Sequence, residues 1–567
     1  MLAIFLAATL GLAGCGGGGS DDPPDTDGDG VADAQDAFPN DPSETSDSDG
    51  DGVGDNADVF PTDANETADA DSDGVGDNGD NCPADANADQ ADSDVNGDGD
   101  ACDAIQLTYV YPSNFGGDSS VSYTGQTARQ LLIIGLVDAM VGLTERPGEL
   151  MTVTDELQFF INGDGADDTP HGFTVAGGET VIPGPNYGDI STGKNLDGKI
   201  AGGDGAGGGE TSRLIDDDFF GWEDGLDASP LPIELVNLWI DQLAAEATDG
   251  TTPMITTTAG PVSTGSVTVD AVGRDYRQLL QKFLLGAVNF SQGTNDYFQT
   301  DFANALGQEG DRTYGAGEHD FDESFGYFGP ARNYNDYTDD EGAAKGGRAE
   351  FANGYNDADA DGNIDIRSEF VFGHAQNCSK RDRGSASAAN PTDFSKEAMD
   401  AYLLGRRIVS NATFAGELTA DEQTALDAQI DIAAKTWEKC IAATAVHYIN
   451  DVTSDMGNFD VPNFADLDNY LDVTKHWAEL KGFALSLQFS PFSPFRDGSV
   501  TDIDLDDLRE VLTLIGDAPV LADGSQNGVG PTGTAQEAID AYLADLMTAR
   551  DILQAAYEFD AEVVAGW

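Results

Sequence analysis

This sequence is short of cations. Among its 567 residues, 26 Lys and Arg face 104 Asp and Glu, a formal net charge of −78, and the first basic residue is Arg129. So acidic a chain has no electrostatic attraction for nucleic acid or for an anionic membrane surface. It attracts metal cations instead, and it suits a salty environment that screens self-repulsion. Catalytic signatures are also missing: there is no HExxH helix motif and no Ser/His/Asp motif for nucleophilic catalysis. "GDISTGKN" (188–195) nearly spells a phosphate loop, but it ends in Asn195, with no strand before it and no helix after it. "AGGDGAGGGE" (201–210) is Gly-rich without a nucleotide-binding frame and reads as a flexible loop. Strand signals are few: "MTVT", "GFTVAGGETVI" and "GSVTVD".

The N-terminal "MLAIFLAATLGLAGC" is apolar up to Gly14, then meets a Gly run, and is too short to cross a bilayer as a helix. It reads as a secretory signal that lacks the usual basic residues at its start. Leu12-Ala13-Gly14-Cys15 resembles the bacterial lipobox, which implies cleavage before Cys15 and lipidation of its thiol. Gly16 after the cysteine, rather than Asp, fits sorting to the outer membrane by the same resemblance. Setting Cys15 aside leaves Cys82, Cys102, Cys378 and Cys440, an even number in an exported chain. Of the three possible pairings, Cys82–Cys102 with Cys378–Cys440 is the simplest, because each pair then lies within one compositional region.

Residues 25–103 contain an internal repeat, "DTDGDGVADAQD", "DSDGDGVGDNAD", "DADSDGVGDNGD" and "DSDVNGDGDACD", with starts 22, 22 and 23 residues apart. Positions 1, 3, 5, 9 and 12 are Asp25, Asp27, Asp29, Asp33 and Asp36 in the first copy. They are Asp47, Asp49, Asp51, Asp55 and Asp58 in the second, and Asp69, Asp71, Asp73, Asp77 and Asp80 in the third. The fourth carries Asp92, Asp94, Asn96, Asp98, Asp100 and Asp103, with Asn96 at position 5. That is the ligand spacing of a wrapped calcium loop, all oxygen donors around a Gly turn. Too few apolar residues are present to build a core, so the segment is expected to be disordered without a cation and to fold when Ca2+ neutralises it. With the intervening "AFPNDPSET" and "VFPTDANET" and the closing "DNCPADANADQADSDVNGDGDACD", these residues resemble the thrombospondin type 3 repeat. The resemblance implies a rigid, elongated, calcium-filled stalk on a surface protein.

From Ile105 onward the pattern becomes helical, over 125–144, 231–247, 270–291, 394–411, 420–453, 463–489 and 535–560, with Gly/Asp-rich loop between 160 and 225. Thr419-x-x-Glu422 is a capping-box pattern at the start of one of these helices. The region is expected to be mainly α, a helical bundle with long decorated loops. "NFGGDSSVSYTGQTARQLL" (114–132), "EHDFDESFGYFG" (318–329), "DADADGNIDIRSEFVFGHA" (357–375) and "HWAELKGFALSLQF" (476–489) resemble the bacterial DUF4856 domain, a family itself similar to imelysin-like proteins. The resemblance implies a helical envelope protein of an iron-regulated group, with a GxHxxE motif that once suggested metallopeptidase activity. Gly317-x-His319 matches the start of that motif; its Glu position holds Asp322, with Glu323 one residue later.

Two constellations in this region could hold metal. "DADADGNID" (357–365) places Asp357, Asp359, Asp361, Asn363 and Asp365 at positions 1, 3, 5, 7 and 9, with Gly362 at 6 and Ile364 at 8. Position 12 is Ser368, and Glu369 can supply the missing acid if the loop is one residue longer. The other constellation is on helices. His319, Asp322 and Glu323 share one face, opposite a stripe of Phe321, Phe325 and Phe328, while His476-x-x-Glu479 offers a second His/carboxylate pair. His319 and His476 over one iron or zinc ion, completed by Asp322, Glu323 or Glu479, is the sharper expectation. The simpler one is a wet acidic face at His319 and an unliganded His476; His171, His374 and His447 read as structural.

The organisation expected is thus a signal over 1–14, lipidated Cys15, a repeat stalk over 16–105 and a helical domain over 106–567. The function expected is that of a non-catalytic, surface-exposed outer-membrane lipoprotein whose helical domain binds a metal ion or metal-bearing ligand. A calcium-dependent adhesion module recognising a surface protein or glycan, and a metallopeptidase of imelysin type, are the alternatives.

Overall fold

The computed structural model describes residues 23–103, 106–146, 148, 150–163, 165–202, 214–226 and 230–567. The expected export signal and Cys15 lie outside them, as does most of the Gly-rich stretch 201–210. The chain divides into two units, Met1–Ile105 and Gln106–Trp567, where the composition changes.

In the first unit the described residues form neither helix nor strand, and successive turns organise the chain. Each repeat opens on an Asp whose carboxylate accepts two amides of its own loop, Gly28 N (2.8 Å) and Gly30 N (3.2 Å) for Asp25, with the same bonds at Asp47 and Asp69. Between repeats, Glu44 and Glu66 reach forward to accept Asn56 N and Asn78 N, both at 3.0 Å. Cys82 is bonded to Cys102, and it is the one fully buried apolar side chain among the described residues of this unit.

The second unit is mainly α; the chain is about 46% helical, and among the described residues the strands make two short two-stranded sheets. The longest helix, Ala420–Met456, starts at a reciprocal cap in which Glu422 N donates to Thr419 Oγ1 (3.2 Å) and Thr419 N to Glu422 Oε2 (2.7 Å). Its middle is rich in small residues, and Ala433, Ala434, Ala442, Ala443 and Ala445 are fully buried, so neighbours close in on several sides. Those neighbours are Phe394–Ala415, Leu467–Ser486, Ala535–Ala556 and Gly373–Ser385, the last tied to it by the Cys378–Cys440 disulfide.

Several local expectations are overturned by tertiary packing. "MTVT" lies inside the helix Leu150–Asn162, because Val153, Leu157 and Ile161 at i, i+4, i+8 are all buried. "GFTVAGGETVI" yields only Thr180–Ile182, paired in parallel with Asn363–Asp365, and "GSVTVD" contains no strand. A hairpin instead joins Met254–Thr257 to Gly260–Ser263. The helix expected over 270–291 starts at Tyr276, where Asp275 caps the amides of Arg277 and Gln278, and widens into a π turn at Leu285–Phe290. In that turn Gly286 meets the helix Leu467–Ser486 so closely that an added Cβ would lie 1.9 Å from Ser486 Oγ.

One buried acid gives this core a pH signature. Glu438, fully buried on the long helix, accepts Tyr557 OH at 2.7 Å, and burial pushes its carboxyl from 4.5 up to about 8. The folded state therefore holds a proton that the unfolded chain releases near pH 4.5, so stability falls as pH rises from 4.5 to about 8. Glu438→Gln removes that loss. Its melting temperature is expected to match the parent's at pH 4.5 and to exceed it increasingly towards pH 8, as the parent loses up to ~1.4 kcal/mol of stability per pH unit. Parallel melting profiles for the two proteins would count against a buried acid here.

Candidate metal centres

In the first three repeats the carboxylates at positions 1, 3 and 5 converge. Asp25, Asp27 and Asp29 each place an oxygen within 4.8 Å of the others, as do Asp47, Asp49 and Asp51, and Asp69, Asp71 and Asp73. Position 12 is close enough for its charge to raise the carboxyl at position 3, Asp36 on Asp27 and Asp58 on Asp49. Asp36 and Asp58 each use one oxygen to accept the amide two residues on (2.8 Å), and their other oxygen is buried without a partner. Oδ2 of Asp27, Asp29, Asp49 and Asp71 is in the same state. Burial first, and then the like charges of Asp29, Asp36 and Asp25, raise the Asp27 carboxyl; Asp49 and Asp71 are raised for the same reasons by their own neighbours. Buried, unpartnered oxygens facing one another are costly unless a cation joins them, so the residues fit Ca2+.

The position 9 residues do something else. Asp33, Asp55, Asp77 and Asp100 each accept the amide of position 2, at 2.7–2.8 Å, and so close the loop rather than face its centre. The sequence pattern had made them ligands; an aspartate at a turn serves as well by capping its own backbone. The fourth repeat differs again. Asn96 donates its side-chain nitrogen to Asp94 and Asp103, 3.2 Å each, and Asp98 N donates to Asn96 Oδ1 (2.7 Å). Asp92 takes two loop amides, as the other first positions do. Near it, Asp80 accepts Cys82 N and the Gln90 side chain.

The internal loop repeats this division of labour. Asp357, Asp359 and Asp361 converge within 4.8 Å, and Asp357 accepts the amides of Asp361 (3.0 Å) and Gly362 (2.9 Å). Asn363 turns its amide to Asp361 (3.0 Å). Glu369 takes Ala358 N (2.8 Å) on one oxygen and Asp365 N (2.7 Å) on the other, so it laces the loop's ends together. Asp365 is held by Arg367 through Nε (2.9 Å) and Nη2 (2.7 Å). The converged set is therefore Asp357, Asp359 and Asp361, while Asp365 and Glu369, also expected as ligands, lie outside it and are engaged by a guanidinium and by backbone amides.

The helix Ala316–Phe328 buries Phe321, Phe325 and Phe328 completely, yet the opposite side is not simply wet. Asp322 is fully buried and accepts Arg406 Nε (2.7 Å), Tyr109 OH (2.8 Å) and Ser122 N (2.9 Å). Arg406, also fully buried, donates Nη1 to Glu318 (3.0 Å) and to Ser410 and Nη2 to Ser120 (2.8 Å), with its plane over Tyr111. Burial alone would lower the guanidinium's pKa; Asp322 and Glu318 outweigh it and hold Arg406 charged. Asp322 is thus a structural anion, not an open ligand. Gly326 serves the same packing: a Cβ there would lie 2.7 Å from Tyr123.

His319 and His476 are not brought together. His319 has Nδ1 2.8 Å from Glu309, Nε2 3.8 Å from Glu323, and its ring against Tyr314. Glu323 in turn accepts the Gln126 amide at 2.6 Å. His476 has Nδ1 2.7 Å from Asp455 on the long helix and stacks on Tyr448, while Glu479 pairs with Lys282 at 3.4 Å. Among the described residues no group of three close ligand atoms includes either histidine, so the residues do not fit a shared iron or zinc ion. Of the remaining histidines, His171 lies 2.9 Å from the Gly184 carbonyl and His374 3.0 Å from that of Leu285, and burial lowers His374 to about 4 and keeps it neutral. His447 lies 3.3 Å from Asp451.

No protein-family model, curated protein or solved structure matches this chain.

Proposed function

We propose that this protein is an exported, lipid-anchored surface protein whose acidic repeats fold around Ca2+ into a stalk that presents a helical, bundle-type domain. In this reading the chain is kin to thrombospondin type 3 repeats in its first unit and to the DUF4856 and imelysin-like group in its second. The observation that carries the reading is the recurrence, at a 22-residue period, of converged aspartates with buried, unpartnered oxygens. Ca2+ would be held by positions 1, 3, 5 and 12 and would supply charge neutralisation and folding free energy.

The helical domain is read as a binding element for a surface protein or glycan rather than as a catalyst or metal carrier. That choice is favoured by the separate engagement of His319 and His476 and by the full pairing of Asp322. Metal-bearing ligands and peptidase chemistry rank below it for the same reason.

Anchoring is tested by Cys15→Ser in the producing cell. The parent is expected in the outer-membrane fraction and cleavable by protease added to whole cells; the variant is expected in the soluble fraction. A variant that stays with the membrane, or a parent shielded from external protease, would remove the anchored surface placement.

A further inference from the structure

Two of the sequence stretches noted above, around Ser119–Thr124 and Asp365–Ser368, line one cavity of about 240 Å3 together with Arg332. The cavity is cationic in a chain of net charge −78. Arg332 donates Nε to Tyr123 OH (3.1 Å) and lies over that ring (5.3 Å to its centroid), and its two terminal nitrogens make no hydrogen bond with the described chain. Arg367 also lines the cavity, and the one acid there, Asp365, has both oxygens taken by Arg367. Two guanidinium groups against one paired carboxylate leave a net positive lining. The helix Thr124–Met140 begins at the same cavity, where Thr124 lines it and the N-cap residue Tyr123 makes no side-chain cap. Ser119, Ser122 and Ser368 add hydroxyl groups.

We infer that this cavity binds a tetrahedral oxyanion, inorganic phosphate or a phosphate monoester. A planar guanidinium held by stacking presents paired donors to two oxygens of such an anion, and the hydroxyls of Ser119, Ser122 and Ser368 suit the others. The volume is several times the roughly 30 Å3 a water molecule occupies, so the anion enters with some of its hydration. The inference stands independently of the calcium reading, since it uses none of the converged aspartates.

The test is calorimetric titration of the full chain with inorganic phosphate at constant ionic strength and submillimolar calcium. One saturable site is expected, with Kd on the order of 1 mM or tighter. Arg332→Gln is expected to weaken binding at least about tenfold, a loss of ~1.4 kcal/mol. Because Arg332 also packs on Tyr123, a second variant, Arg367→Gln with Asp365→Asn, removes a pair at the rim and is expected to weaken binding several-fold with an unchanged melting temperature. O-phosphoserine binding at least as tightly as phosphate supports a monoester ligand, and weaker binding supports the free anion. No saturable binding by the parent, unchanged affinity in both variants, or acetate binding as tightly as phosphate would each overturn the inference.

Discussion

Arg406→Met is expected to destabilise the helical unit by about 3–5 kcal/mol, a very large effect for one substitution. The side chain is fully buried between Glu318 and Asp322, which are themselves fully buried. Removing the guanidinium leaves two carboxylates in the interior without their cation, and burial already raises the Asp322 carboxyl against the pull of Arg406. The same guanidinium reaches Ser120, and Asp322 takes Tyr109 and Ser122, so the network also fastens the segment that leads into the helix Thr124–Met140. Adding Glu318→Gln and Asp322→Asn to Arg406→Met should recover part of the loss, because the uncompensated charges go. Denaturant unfolding measures both. A loss below about 1 kcal/mol, the range of exposed ion pairs, would mean that the network is open to water.

The second large effect concerns calcium. With a chelator present, residues 25–103 are expected to become protease-sensitive and to expand, while the helical unit keeps its far-UV circular dichroism. Among the described residues of this unit only Cys82 is a fully buried apolar side chain, so hydrophobic burial cannot offset the ordering of some 80 residues. What the repeats have instead is a lattice of Asp and Glu acceptors around clustered like charges, which repel unless neutralised. Restoring calcium should restore resistance. Equal cleavage of this segment with calcium and with chelator would show that the turns hold without a cation.

Periodic features of this chain were legible, and long-range polar pairings were not. The helices over 394–411, 420–453 and 535–560 appear as Phe394–Ala415, Ala420–Met456 and Ala535–Ala556, because a 3.6-residue apolar period and a Thr419–Glu422 cap are local signals. The clustering of the aspartates at positions 1, 3 and 5 was legible for the same reason. The loop-closing bonds of position 9 were not legible, because spacing alone does not say whether an Asp faces a cation or its own loop. Glu44 and Glu66 were missed although their 22-residue spacing matched the repeat and was available as a signal. Asp322 was misplaced because its partner, Arg406, is 84 residues away and no period connects them. His319 meets Glu309 from the preceding loop, where helical geometry gives no guidance. The strand reading of "MTVT" failed because β-branched residues accept a helix when their spacing buries them on one side.

The claim that each converged aspartate triad holds calcium is tested most directly by counting. Equilibrium dialysis of the full chain against calcium at physiological ionic strength should give at least four ions per chain, one for each of the triads at Asp25, Asp47, Asp69 and Asp357. Asp49→Ala with Asp51→Ala, and separately Asp359→Ala with Asp361→Ala, should each lower the count by at least one. Variants that bind as many calcium ions as the parent would contradict the assignment of those aspartates as ligands.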